Sequence, residues 1–260
     1  MHDDDLTLLA EAAKEAGALA RHHFERDPEV WEKDDGQGPV TEADIAVDTL
    51  LRRELTQARP TYGWLSEETE DNPARLSMER CFIVDPIDGT RAFIEGAPHW
   101  ALSLAVVTQG QVTAAAIYLP MRDKLYCAAR SMGATLNGWK LTASDRLGLT
   151  GAQVLAAKPT FEPWRWKDAQ VPRMKRNFRS SLAYRLALVG EGKFDAMLTL
   201  RPTWEWDVAA GALIVTEAGG RVTDQTGAPL VFNREDPRLR GVVAGGAVQP
   251  HIVGRLQPQP

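Results

Sequence analysis

Apolar residues at Leu6, Leu9, Ala13, Ala16, Ala20 and Phe24 recur three and four positions apart, which predicts an amphipathic helix over residues 5–25. Asp5 stands where an N-cap would. After a turn-rich segment, Asp34-Asp35-Gly36-Gln37-Gly38-Pro39, a second helix is predicted from Thr41 to about Gln57, with Ile45, Val47, Leu50, Leu51 and Leu55 on its buried side. Trp64-Leu65-Ser66 reads as the end of a short strand. Residues 81–84 are too few and too apolar to be anything but a buried strand. A short helix is expected after Thr90, then strands at 101–107 and 112–118 joined by a tight turn at Gln109-Gly110. Residues 125–128 and the Gly-rich stretch 133–138 suggest a further strand pair.

From Leu149 the pattern alternates: strand 154–157, helix 184–189, strand 196–200, helix 208–218, strand 221–223. Such alternation predicts a second sheet layered with helices. The boundary between halves is placed near residues 142–150, which gives an N-terminal half of 1–145 and a C-terminal half of 146–260. No internal repeat or low-complexity linker interrupts either.

Composition changes this picture little. The chain has 260 residues, 44% hydrophobic and 25% charged, with 21 Gly and 16 Pro, as in an ordinary globular protein with a large core. A formal charge of -5 supplies no global field for nucleic acid polymers or anionic membranes, so an anionic ligand has to be met locally. The first twenty residues are acidic and amphipathic, unlike a signal peptide, and no apolar run is long enough to span a membrane. A cytoplasmic protein is expected. Two cysteines, Cys81 and Cys127, are too few for a disulfide framework or zinc site, and the five histidines show no metal-ligand spacing.

The candidate chemistry is acidic. In Val84-Asp85-Pro86-Ile87-Asp88-Gly89-Thr90, turn chemistry accounts for Pro86 and Gly89. It does not account for two carboxylates at the end of a buried strand, where ionised groups need a counter-charge. An EF-hand is excluded, because Ile87, Gly89 and Gly96 occupy positions that would need oxygen ligands. Oxygen ligands of this kind suit magnesium, which also meets substrate phosphate. Gly89-Thr90 would open a helix whose free N–H groups favour an anion. Three more acidic stretches stand beside it: Ser66-Glu67-Glu68-Thr69, Glu205-Trp206-Asp207-Val208-Ala209-Ala210-Gly211, and Thr41-Glu42-Ala43-Asp44. Singly, these read as a solvated turn, an N-cap followed by small packing residues, and a near capping box.

Together, the four stretches resemble the inositol monophosphatase superfamily of magnesium-dependent, lithium-sensitive phosphatases. Its members carry a Glu-Glu site, an Asp-Pro-Ile/Leu-Asp-Gly-Thr site and a Trp-Asp-x-Ala-Ala-Gly site in this order. The resemblance implies an α/β fold, a layered α-β-α-β-α sandwich with the site between its halves, and two to three Mg2+ ions. Glu67, Asp85 and the Ile87 carbonyl would hold the first ion. Asp85, Asp88 and Asp207 would hold the second, with Asp85 bridging, and a third would sit weakly at Glu67. Thr90 with Glu67 would orient the attacking water, and Asp44 would support Thr90. Glu68 would act from behind the ligands, and Lys33 near a mobile metal loop. Asp88, Gly89, Thr90, Asp207 and Ser180 would meet the substrate. Electrostatics agrees, since two carboxylates about 4 Å apart repel by roughly 4 kcal/mol at an effective dielectric near 20, and cations reverse that sign.

The substrate is less legible. Inositol-preferring members resembled here carry a glutamate seven residues before the Trp-Asp aspartate, where this chain has Leu200. Ser66, the Ser180-Ser181-Leu182 stretch and Arg201-Pro202-Thr203 lean toward 3'(2'),5'-bisphosphate nucleotidases. Residues 158–179 add seven basic side chains interleaved with Phe161, Trp164, Trp166 and Phe178, which read either as a subsite for a second phosphate and a base or as a solvated loop. A 3'(2'),5'-bisphosphate nucleotide such as 3'-phosphoadenosine 5'-phosphate and myo-inositol monophosphate are the expected esters. Histidinol-phosphate or sugar phosphatase activity is the alternative, with Gly96-Ala97-Pro98-His99-Trp100 in favour of the former. From another class comes a catalytically silent regulator that binds a phosphorylated ligand. A small phosphorylated substrate is the expected partner, and a homodimer is left open.

Overall fold

The computed structural model describes residues 2–26, 29–32 and 38–257. The first predicted helix is α1 (His2–Phe24), and Asp5 lies inside it, not at its cap. The Asp5 carboxylate is buried and accepts from Arg59 Nε at 3.0 Å and Tyr62 Oη at 3.1 Å, which fastens α1 to the end of α2 (Glu42–Ala58). Thr41 caps α2 in a reciprocal box with Asp44. The buried stripe of α2 is Ala43, Asp44, Val47, Asp48, Leu51 and Leu55. Ile45, expected inside, is 41% exposed, because at about 3.6 residues per turn it lies roughly 120° from the middle of that stripe. A ribbon of β1 (Val30–Glu32) and β2 (Pro39–Thr41) leads into α2.

The larger sheet follows chain order: β3 (Gly63–Ser66), β4 (Arg80–Asp88), β5 (Ala101–Thr108), β6 (Gln111–Leu119), β7 (Lys124–Ala129), β8 (Gly133–Leu136) and β9 (Trp139–Lys140). Its first pair, β3 and β4, is parallel and the rest are antiparallel. Gln109 and Gly110, both at positive φ, make the expected turn. The strand expected to stop at Val84 continues to Asp88. Asp85 pairs with Ser103 and Asp88 with Ala101, so β4 holds one extra residue here, a β-bulge. Pro86 fits in it, since a bulge spares the N–H that proline lacks. Gly89 follows at φ 104°, the left-handed turn into α3 (Thr90–Ile94).

The second sheet contains β10 (Gln153–Ala156), β11 (Lys175–Asn177), β12 (Ala196–Thr199), β14 (Arg221–Thr223) and β16 (Val242–Gly245), in the order β11-β10-β12-β16-β14. β13 (Thr203–Trp204) pairs with β15 (Arg238–Leu239) in a separate two-stranded ribbon. Helices α4 (Leu182–Gly190) and α5 (Glu205–Glu217) lie between the two sheets and share one core with them. α1 and α2 cover the outer face of the larger sheet, and α6 (Gln249–Val253) with short 3-10 turns around buried Trp166 covers the second. This is a layered α-β-α-β-α sandwich. Between its first and last turns, over residues 208–215, helix α5 is apolar all round, as a helix between two layers must be. A Cβ on Gly211 would lie 2.4 Å from Leu186 Cβ, so this glycine lets α4 and α5 touch. Among the described residues no helix is long and apolar enough to cross a membrane.

Candidate active site

Three elements of distant sequence converge at one end of the central layer: the loop after β3, the bulged end of β4 and the first turn of α5. One carboxylate oxygen each from Glu67, Asp85 and Asp207 lie within 4.8 Å of one another. Asp85 is 1% exposed, and among the described residues neither of its oxygens has a hydrogen-bond partner. Buried polar atoms are otherwise almost always paired, so this orphaned carboxylate marks a site built for something else. Burial pushes the Asp85 carboxyl well above the usual range, and Glu67, Asp88, Asp207 and Asp44 push it in the same direction. Asp207 is raised to about 8, first by burial, then by Asp88 and Glu67, against the hydrogen bonds that lower it. Those bonds come to Oδ2 from Thr203 Oγ1 at 2.7 Å and the Trp204 N–H at 3.3 Å. Asp207 therefore occupies the third position of α5 instead of its N-cap.

Asp88 stands beside this trio. Its Oδ2 accepts from Ser181 Oγ at 2.6 Å and from the Ala183 N–H, which binds β4 to the start of α4. Burial raises it to about 6, and these bonds together with Arg185 restrain the rise. Three acids that resist ionisation in one place, Asp85, Asp88 and Asp207, with the Glu67 carboxylate beside them, are compatible with a hard divalent cation, whose charge would let them ionise together.

Thr90 Oγ1 lies 3.4 Å from Asp44 Oδ1 and 3.2 Å from the Ile87 carbonyl. Asp44 is held by Thr41, through the backbone N–H at 2.8 Å and Oγ1 at 2.6 Å. Its capping box and its place beside Thr90 are thus the same arrangement. The sequence did not single out Asp48, one turn further along α2. Its carboxylate accepts from Ser66 Oγ and, at 2.5 Å, from Thr69 Oγ1, and so it holds the loop that presents Glu67 and Glu68. Ser66 thereby has a positioning task that does not depend on substrate. Lys33 lies outside the described residues. Both thiols are raised by burial, Cys81 to about 12 and Cys127 to about 11, so neither is a nucleophile near neutral pH.

A model described as the inositol monophosphatase family matches residues 2–257. The chain belongs to the inositol monophosphatase family. It is 38% identical over 197 residues to an inositol-1-monophosphatase of Rhizobium meliloti (strain 1021), covering 72% of this chain and 73% of that one. It is 32% identical over 233 residues, 85% of each chain, to the protein named Nus factor SuhB of Escherichia coli (strain K12). Among solved structures, the extragenic suppressor protein suhB of Bartonella henselae superposes with a TM-score of 0.82 at 28% identity, covering 96% of this chain and 97% of that one. An IMPase of Thermotoga maritima gives 0.81 at 28%, covering 96% of each. The protein is therefore a phosphatase of a metal-dependent family that acts on small phosphate esters.

In this inositol monophosphatase family member the carboxylates open into a cleft of about 790 Å³. Glu67, Asp88, Gly89, Thr90, Ser180 and Asp207 all line it. Leu200 is in the wall, where it offers no hydrogen bond to a polyol hydroxyl. His99 is not among the lining residues, and its Nε2 lies 2.8 Å from Arg122 Nη2. The basic and aromatic stretch 158–179 forms short turns and the edge strand β11, and most of its basic side chains, Lys158, Lys167, Arg173, Lys175 and Arg176, are exposed, as the solvated reading expects. Of its basic and aromatic side chains, Arg165 and Phe178 reach the cleft, whereas Trp166 is buried in the core.

Proposed function

We propose that the protein is a magnesium-dependent phosphomonoesterase that hydrolyses a small phosphate ester by attack of water on phosphorus. The orphaned Asp85 carboxylate at the centre of an acid cluster carries this reading. Glu67, Asp85 and the Ile87 carbonyl would hold one Mg2+ and Asp85, Asp88 and Asp207 a second, with a third weaker ion at Glu67. Bound cations would neutralise phosphoryl oxygens and make water more acidic. Asp88 and Asp207, each held through Oδ2, keep Oδ1 for a ligand, and such outer hydrogen bonds fix ligand direction. Thr90 Oγ1, donating to Asp44, keeps its lone pairs to accept from the attacking water and aim it, with Glu67 alongside. Glu68 supports the loop, and Gly89 and Ser180 meet the ester.

Leu200 disfavours myo-inositol monophosphate and leaves a nucleoside bisphosphate, such as 3'-phosphoadenosine 5'-phosphate, as the better candidate. The position of His99 removes the support for histidinol phosphate. Lithium inhibition belongs to this reading by family likeness, a cytoplasmic location and a division into halves 1–145 and 146–260 by the sequence pattern, and a homodimer is left open. Phosphate release from these esters and fructose 1,6-bisphosphate, assayed with Mg2+, tests it. Turnover of at least one ester that EDTA abolishes is expected. A folded, Mg2+-loaded protein that releases phosphate from none of them, yet binds one by calorimetry, would instead be a silent regulator.

A further inference from the structure

The wall of the cleft facing the carboxylates carries guanidinium groups that the hydrolytic step does not use. Arg185 interrupts the otherwise apolar α4, Leu-Ala-Tyr-Arg-Leu-Ala-Leu-Val-Gly, and is 8% exposed. Its Nε donates to the Arg179 carbonyl and its Nη2 to the Ser180 carbonyl at 3.2 Å, while its guanidinium carbon lies 4.3 Å from the centre of the Phe178 ring. Two of five N–H donors are thereby used. Among the described residues it forms no ion pair within 4.0 Å. Burial lowers it to about 10 and Arg201 lowers it too, whereas Asp88 and Asp207 raise it.

Arg201, exposed, and Arg165 line the same wall. The Arg165 guanidinium stacks 4.1 Å over Trp164, and its Nη1 donates to the Leu200 carbonyl at 3.0 Å. Its Nε is buried and has no hydrogen-bond partner among the described residues. Of the carboxylates in the lining, Glu67, Asp88 and Asp207 belong to the acid cluster, and Glu95 is exposed at the end of α3. Cations held by Asp88 and Asp207 would also offset the negative charge of Asp88 that balances Arg185. A buried cation without a counter-charge is strongly disfavoured, so the loaded cleft needs an anion on this wall.

We propose that Arg185, with Arg201 and Arg165 beside it, forms a second anion subsite, so that the ester hydrolysed carries a phosphate or carboxylate besides the phosphate removed. This subsite rests on the phosphatase reading and narrows it to doubly anionic esters. Leu198 and Leu200 in the same wall suit the carbon frame between the two anions.

Matched pairs of substrates test it: adenosine 3',5'-bisphosphate against adenosine 3'-monophosphate, and 2-phosphoglycerate against glycerol 2-phosphate. The first pair reports a second phosphate and the second pair a carboxylate. In the wild type with Mg2+, kcat/KM is expected to favour the doubly anionic member of at least one pair by about tenfold to a hundredfold, the worth of a charged hydrogen bond. Arg185→Gln should bring that ratio toward one. Arg201→Gln, at an exposed position that leaves the fold intact, should lower it several-fold and serves where Arg185→Gln does not fold. A wild-type ratio near one in both pairs, or a ratio unchanged in the folded variants, overturns the subsite. If no ester is turned over, the phosphatase reading fails separately. Calorimetric binding of the two adenosine nucleotides to wild type and Arg201→Gln then decides the subsite by the same ratio.

Discussion

A buried aspartate with no hydrogen bond is tolerable only with a proton or a cation. Asp85→Asn removes the charge and keeps the shape. It should reduce Mg2+-dependent turnover by about a thousandfold or more, since a Lewis acid contributes several kcal/mol to such chemistry. The same substitution should raise the melting temperature of the metal-free protein at pH 8, because it removes the group that Glu67, Asp88 and Asp207 repel. A loss of activity with no gain in metal-free stability would point to misfolding instead. Thr90→Val should lower kcat by roughly a hundredfold with little change in KM, as for loss of a group that aims a proton transfer. Asp48→Ala should weaken Mg2+ activation by about tenfold or more through the loosened Glu67 loop, read from the Mg2+ dependence of turnover. Asp85, Asp88 and Asp207 stood out in the sequence through motifs that resemble those of the family, and the structure brings Asp85 and Asp207 together with Glu67. Asp48 did not stand out, nor did the hold of Ser181 on Asp88 and of Thr203 on Asp207, because each acts on a residue brought near it only by folding or by a local turn. Arg185 left one signal, a lone charge within an apolar helix.

The elements that read most clearly were those with a complete period. α1 and α2 follow their apolar spacing, and β5 and β6 with their Gln109-Gly110 turn stand where expected. Two errors share a physical cause. Asp5 looked like a cap because the first helical turn is polar, and its true partners, Arg59 and Tyr62, are more than fifty residues away. Residues 85–88 looked like a turn because proline and glycine mark turns, whereas a bulge uses the same residues to redirect a strand. β16 and α6 left weaker signals: four residues beside glycine, and five containing Pro250. Packing of α4 on α5 gives this scale its prediction. Gly211→Ala places a methyl against Leu186 and should destabilise the protein by about 1–3 kcal/mol in urea unfolding. An unchanged midpoint would mean that the helices separate more easily than their contact implies.

Across the whole molecule, the acid cluster couples stability to pH. Asp88, Glu205 and Asp207 are raised to about 6, 7 and 8, and Asp85 is raised as well, each mainly by burial. Groups raised in the folded state contribute stability below their unfolded pKa near 4, and that contribution is lost as pH rises through the folded values. The metal-free protein should therefore melt progressively lower between about pH 5 and pH 9. Mg2+ should flatten this slope without abolishing it, since Glu205 is held by the Asn233 and Arg234 N–H groups away from the cation trio. The most direct test is calorimetric Mg2+ titration at pH 7 in two buffers of different ionisation enthalpy, which counts protons released on binding. At least about one proton per protein is expected as Asp85 and Asp207 ionise around the cation, with the release reduced and binding weakened in Asp85→Asn. Mg2+ binding without proton release, or equal affinity in Asp85→Asn, would contradict a cation site centred on Asp85.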